Sequence, residues 1–241
     1  DVSGNSNNFT VNNLTSVDQS TDTCTNNWCT MNPLDNYYAG ATFSEGNLKL
    51  TSGSSQYSFN TSTFQMVSGK WYWEAKVNSS GAAGNYQWGI VSSPATTSSN
   101  ALQNYSNSVG VNDGNDNILA NGSSTGITIG SFAQNDILMF AFDADNNGLY
   151  VGKNGTWLNS GDPTSGASKT GAFTPGTSGI GYFAAFGDAN GSAGYISELN
   201  FGGTQTFTIS SGNSDGNGHG NFEYAVPSGY FSLCTKNLAE F

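Results

Sequence analysis

The sequence predicts an all-β chain folded as an antiparallel sandwich or barrel, and three observations predict it. Short runs that alternate apolar and polar residues recur along the 241 residues, separated by Gly, Asn, Asp and Ser clusters; turn signals spaced roughly 8 to 12 residues apart mark such folds. The composition holds 32 Gly, only 5 Pro and abundant Asn, Ser and Thr, residues that form helices poorly and turns well. No segment carries a helical period for longer than a turn or two. Aromatic residues, 13% of the chain, are spread along its whole length, so the composition is that of a folded chain and not a disordered one.

The elements follow in order. Residues 1–39 are polar with scattered Phe9, Val11, Leu14, Trp28 and Met31, and read as an extended lead-in from a preceding module that lies against the main body. ATFSEGNLKLT (41–51) is two short runs about a Ser-Glu-Gly-Asn turn, a hairpin pattern. KWYWEAKV (70–77) sends Trp71, Trp73, Ala75 and Val77 to one face and Tyr72, Glu74 and Lys76 to the other, the period of a half-buried strand with Glu74 outward. YQWGIVSS (86–93) is a further strand, and 94–108 is a long polar connection. VGVNDGNDNILANG (109–122) reads as two strands about a turn at Asn112 to Asp116, and ITIGSF (127–132) as a short β-branched strand.

DILMFAFD (136–143) is almost continuously apolar, as a strand covered on both faces must be. GLYVGKNGTWL (148–158) follows, then a polar Gly-rich stretch over 159–179 and the strands GYFAAFGD (181–188) and AGYISELNFG (193–202). SSGNSDGNGHGN (210–221) is a mobile loop on composition. The tail 222–238 returns to apolar spacing, and 239–241 leads toward a following segment. The sandwich domain is therefore placed at 40–238. The chain starts at Asp1 and not at Met, which reads as a processed product or a piece of a longer polypeptide.

Charge narrows the partners. The formal net charge is −11, and all six basic residues are Lys. Nucleic acid and anionic membrane surfaces need basic protein surface, and without Arg the bidentate fork for phosphate and carboxylate is missing. No apolar run approaches the ~20 residues of a membrane-spanning helix. Three cysteines, Cys24, Cys29 and Cys234, leave at least one unpaired within the chain. A local Cys24–Cys29 bridge is open, whereas zinc is disfavoured by the spacing.

Candidate chemistry is sparse. Asp143-Ala144-Asp145-Asn146-Asn147-Gly148 resembles the start of a calcium loop, but an EF-hand needs a bidentate Glu at its twelfth position and helical flanks. That position is Asn154 and the flanks read as strands, so the segment is expected to be a hairpin turn. Replacing Asp143 and Asp145 by Asn is expected to leave melting in calcium almost unchanged. Asn112, Asp113 and Asp116 form a polar turn able to offer oxygens to a sugar or a cation. Asp215 with His219 could pair as acid and base, but a chance loop histidine is the plainer reading. Glu74 and Glu198 are a conceivable carboxylate pair for glycoside cleavage, which requires a defined separation. Tyr86, Tyr105 and Trp157 stand at strand ends or in loops, where an aromatic can meet a ligand. No cofactor and no metal is expected.

A family resemblance is carried by Gly69-Lys70-Trp71-Tyr72-Trp73-Glu74, Gln87-Trp88-Gly89-Ile90-Val91, Asn135-Asp136-Ile137-Leu138 with Ala141-Phe142-Asp143, and Leu149-Tyr150-Val151 with Lys153-Asn154-Gly155. In this order and rough spacing they resemble the SPRY domain, over about residues 40 to 202. The tail Pro227-Ser228-Gly229-Tyr230 with Leu233 to Leu238 is similar to that domain's end in marine phage structural proteins. The front, Asp1 to Thr10, is similar to the end of laminin-G-like modules of phage fibres, and Asn26 to Pro33 to the linker before the SPRY unit. The resemblance implies a concanavalin-like jelly roll of two packed antiparallel sheets with binding carried by loops. It also implies a non-enzymatic module on a virion surface, in a tail fibre or other appendage, bound to other virion proteins and to a host-surface glycan or protein, and built as a homo-oligomer such as a trimer. The alternatives are a capsid-surface decoration module, a carbohydrate-active enzyme on the same type of sandwich and a cellular SPRY adaptor. The loops at 94–108, 112–117 and 159–179 are the expected contact surfaces.

Overall fold

A computed structural model describes residues 4, 5, 10, 12, 21–36, 40–53, 57–78, 86–96, 100–114, 117–188 and 194–241. Fourteen strands are formed among them: β1 (Thr42–Ser44), β2 (Lys49–Thr51), β3 (Ser58–Met66), β4 (Lys70–Val77), β5 (Tyr86–Val91), β6 (Ser108–Asn112), β7 (Asn117–Ala120), β8 (Ser123–Thr128), β9 (Ile137–Asp143), β10 (Gly148–Lys153), β11 (Thr156–Trp157), β12 (Tyr182–Asp188), β13 (Ile196–Asn200) and β14 (Phe231–Ser232). One sheet has eight strands, ordered β1-β2-β13-β4-β9-β10-β11, with β14 parallel to the start of β4. The other has six, ordered β3-β12-β5-β6-β7-β8. All pairs except β14 with β4 are antiparallel. The expected all-β, two-sheet sandwich is what forms, and the one α-helix among the described residues is the single turn α1 (Thr235–Leu238).

The core lies between the sheets and is built from the alternation seen in sequence. Trp71, Trp73, Ala75 and Val77 of β4 face Trp88 and Ile90 of β5 and Phe186 of β12, all in one apolar cluster. Trp73 stacks on Phe140 at 5.2 Å, and Tyr86 on Trp88 at 4.8 Å. The indole N–H of Trp88 is buried and donates to Ser197 Oγ at 2.8 Å, as a buried indole requires.

The outer face of the eight-stranded sheet is covered as well. Residues 222–230 lay Phe222 and Tyr230 over Tyr72, Met139, Ala141 and Tyr150. This explains why β9 reads as apolar on both faces. It also corrects the outward placement of Glu74, which is 0% exposed. The loop 210–221, read as mobile, is pinned around Asp215, whose carboxylate accepts from the N–H groups of Asn217, His219 and Ser232 and from the side chains of Ser232 and Asn237.

Two strands depart from the sequence reading. β3 (SFNTSTFQM) carries Asn60, Thr61 and Ser62 at buried positions, so its polarity hides a strand. Its edge is met by the lead-in: Asn32 N–H donates to Thr61 O, and Thr63 N–H to Thr30 O. The expected strand at 127–132 instead lies earlier, as β8. Asn121 and Gly122 both take positive φ, 50° and 73°, and turn β7 back into β8 at once.

The segments that flank the sandwich are part of it. Cys29 and Met31 are 1% and 0% exposed, inside the main core. Trp28 bridges Cys234, and Asn27 and Thr235 exchange hydrogen bonds of 2.9 Å each. Gly203 is required where Trp28 lies: a Cβ there would stand 2.4 Å from the indole. All three cysteines are free thiols, Cys24 exposed and the other two buried. Burial pushes the Cys29 thiol up to about 11.

Candidate functional site: the loop ends of the sandwich

The strands deliver their loops to two opposite ends. At one end β4 leaves at Val77, β9 begins at Ile137, β10 ends at Lys153, and β5 begins at Tyr86. Ser52 Oγ, from the end of β2, donates to Asp188 Oδ2 of β12 at 3.0 Å, which joins the two sheets there. The same end carries the turn after β6. We call it the distal end, because the flanking segments 21–31 and 231–241 meet at the other.

The distal loops are tied to one another by neutral and charge-assisted hydrogen bonds. Gln134 Nε2 donates to Asn78 O at 2.9 Å. Lys153 Nζ donates to Ser131 O at 3.0 Å and lies 5.2 Å over the ring of Phe132. Asn154 is a joint: its Nδ2 donates to Asp136 Oδ1 at 2.8 Å, and its Oδ1 accepts from Ile137 N–H at 2.9 Å. The ends of the distal loops are therefore held by the frame, as a recognition surface needs.

The predicted residues divide. Asn112 is buried, its Oδ1 accepting from Gly114 N–H at 2.6 Å, so its amide oxygen shapes the distal turn. Asp113 is half-buried at that turn, its N–H donating to Tyr86 O at 3.2 Å. Asp116 lies outside the described residues. Tyr86 is corrected: it belongs to the core at 2% exposure, against Trp88, Phe186 and Tyr195. Tyr105 is half-buried on the outer face of the six-stranded sheet, edge-on to Phe59 at 4.9 Å. Trp157 is half-buried at the edge of the other sheet, against the outer apolar cluster. The residues thus do not form one patch. Of the three expected contact loops, 94–108 and 159–179 touch at the proximal end, where Thr177 N–H donates to Asn107 Oδ1 at 2.7 Å, whereas 112–117 is distal.

The carboxylates are engaged in the framework. Glu74 accepts from Tyr72 O–H, Asn200 Nδ2 and the N–H groups of Glu223 and Tyr224; burial raises its pKa above the ordinary carboxylate range against these donors. Glu198 pairs with Lys49 at 3.7 Å on β2. Glu198 lies on β13 two strands from the edge, and its register partner on β4 is Lys76, with Glu74 opposite Asn200. The calcium-like segment is a hairpin. Asp143 pairs with Lys70 at 3.0 Å and accepts from Asn146, while Asp145 accepts from Gly69 N–H at 2.8 Å. Among the described residues no group of three His, Cys, Asp or Glu side chains is placed to hold a metal ion.

Neither a family model nor a curated protein matches the sequence. Solved structures do match in shape. The SPRY domain of human HERC1 aligns over 74% of this chain and 99% of its own length, with a TM-score of 0.53 at 16% identity. The PSpry domain of TRIM65 aligns over 72% and 92%, with a TM-score of 0.52 at 12% identity. The chain has the SPRY fold. Its resemblance in sequence motifs and its two-sheet architecture agree on this point. About a quarter of this chain lies outside those alignments.

Proposed function

We propose that this SPRY-fold chain is a non-catalytic binding and structural module of a phage virion, an appendage or tail-fibre domain that attaches to a host-surface glycan or protein. One observation carries the reading. The flanks are clasped together, Trp28 on Cys234 and Asn27 on Thr235, at the end opposite the turn at Asn112 to Gly114. A module mounted through both flanks presents its distal loops outward. The acidic, Arg-free composition suits a neutral or cationic partner better than a phosphate-bearing one. The phage context rests on the motif resemblance of the front and tail segments, and the oligomeric state of the purified protein tests the trimer that context implies.

The deciding experiment is a glycan and whole-cell binding screen of the chain, with product analysis on every glycan bound. Binding without cleavage, weakened by Asp113→Ala and Gln134→Ala at the distal end, is the expected result. Turnover of a bound polysaccharide would replace this reading by that of an enzyme. Binding to purified virion proteins but to no cell would favour capsid-surface decoration.

A further inference from the structure

Gln87 is 0% exposed, and neither its Nε2 nor its Oε1 has a hydrogen-bond partner. A buried primary amide offers two donors and accepts through its oxygen, and each buried group left unmade costs about 1–3 kcal/mol. An apolar residue of the same shape would be better there unless the amide meets something. The position is on the outer face of the six-stranded sheet, since its neighbours Tyr86 and Trp88 enter the core. Asn112 and Gly187 stand beside Gln87 in register, and Gly89, Gly110 and Ala185 make the next row. Every residue of these two rows is neutral, which fits an uncharged ligand.

A short roof covers this face. The 3-10 turn Leu102–Asn104 puts the backbone of Gln103 where a Cβ on Gly110 would fall, at 2.8 Å. Leu102 packs with Phe59, Val91 and Ala185, and Tyr105 closes edge-on over Phe59. The roof brings a second amide with it: Gln103 Oε1 is also buried and without a partner. An orphan amide, that of Gln87, and an orphan amide oxygen, that of Gln103, thus belong to one neutral face and its roof, beside the half-buried ring of Tyr105. A planar carboxamide matches two adjacent hydroxyls, one donating to its oxygen and the other accepting from its nitrogen.

We propose that this roofed face is a binding site for a neutral sugar with vicinal hydroxyls, with the Gln87 amide as its recognition group and the turn at residues 101–105 lifting for entry. The site lies on the outer face of the six-stranded sheet and adjoins the distal turn through Asn112, the register partner of Gln87. It rests on the reading of the chain as a binding module but not on where that module touches a cell.

The test titrates the whole chain, labelled with nitrogen-15, with a panel of methyl pyranosides and follows the side-chain amide signals of Gln87 and Gln103. The expected result is a saturable shift of the Gln87 signal with at least one sugar, and affinity weakened about tenfold or more in Gln87→Met, which keeps the shape and removes the amide. Melting of Gln87→Met should be unchanged or higher. No shift with any sugar, or undiminished affinity in Gln87→Met, overturns the proposal and leaves a buried water as the amide's partner. Should Gln87→Met fail to fold, the wild-type titration alone decides. Cell binding that survives in Gln87→Met but is lost on changing the distal loops, with no sugar shift, sinks this inference and leaves the attachment reading standing.

Discussion

Single carboxylates hold this fold by opposite balances of the same two forces. At Glu74 burial outweighs four donors and raises the pKa; at Asp215 burial also pushes upward, but the hydrogen bonds from Ser232, His219 and Asn237 together hold it below the ordinary value of 3.8. The sign for stability follows. Asp215 is held more acidic folded than unfolded, so its contribution is present above its unfolded pKa and is lost as pH falls through the folded one. Asp215→Asn should cost about 2 kcal/mol at neutral pH, because one side of the new amide offers donors to groups that themselves donate; that is a fall of about 4–8 °C in a chain of this size. The gap between wild type and variant should close as pH drops from about 5 to about 2, read by melting curves across that range. A gap that stays constant would mean that shape and not charge is what Asp215 supplies. The sequence drew attention to Asp215 and His219 as neighbours. It did not reveal that His219 contributes its backbone N–H, because side-chain identity says nothing about which loop amides converge.

At the scale of elements, legibility followed hydrophobic contrast. β4 and β9 were readable because Trp71, Trp73 and Phe140 supply a strong period, and the β9–β10 hairpin because Asp143 to Gly148 carries turn residues. β3 was not, since Asn60 and Thr61 at its buried positions are satisfied by the lead-in: Asn60 Nδ2 donates to Asp35 O, and Asp35 accepts from both Thr61 N–H and O–H. Polar pairs of that kind erase the apolar alternation by which a strand is recognised. Tyr86 was misplaced at the surface for a related reason: a residue at a strand's first position looks terminal, yet here Tyr195 reaches over it. The hairpin yields a further prediction. The ion pair of Asp143 with Lys70 and the anchor from Asp145 to Gly69 make the double change Asp143→Asn with Asp145→Asn destabilising, by about 1–3 kcal/mol, and not neutral as the turn reading alone suggests. Melting should fall by about 5 °C, and equally in excess calcium and in EDTA. A wild-type gain in calcium that the double variant lacks would restore the metal reading.

The molecule as a whole is closed by its own flanks. Met31 and Cys29 enter the core from one side, and Phe222, Tyr230 and Leu233 cover or enter it from the other, so a sandwich cut at residues 40 and 202 would expose apolar surface on its outer sheet and at its edge. Composition could indicate that these segments were apolar enough to dock, but not where, because the contacts span the full sequence: Asn26 Oδ1 accepts from Lys236 N–H at 3.2 Å. This arrangement has a topological consequence. The segments 23–29 and 232–236 already run side by side, so the order in which the chain visits the strands should matter less than the integrity of that clasp. Joining Phe241 to Asp1 through a flexible Gly/Ser linker and opening the chain between Asn121 and Gly122, an exposed turn between two short strands, should give a permuted chain that folds and melts within about 5 °C of the parent. Opening it between Gly202 and Gly203 instead cuts where Trp28 and Phe222 press on the backbone within 3 Å of an added Cβ, and should give a chain that aggregates or melts far lower. Equal behaviour of the two permutants would show that the clasp contributes little to stability. Failure of the first alone would mean that the β7–β8 edge of the six-stranded sheet, and not the paired flanks, governs how the chain closes.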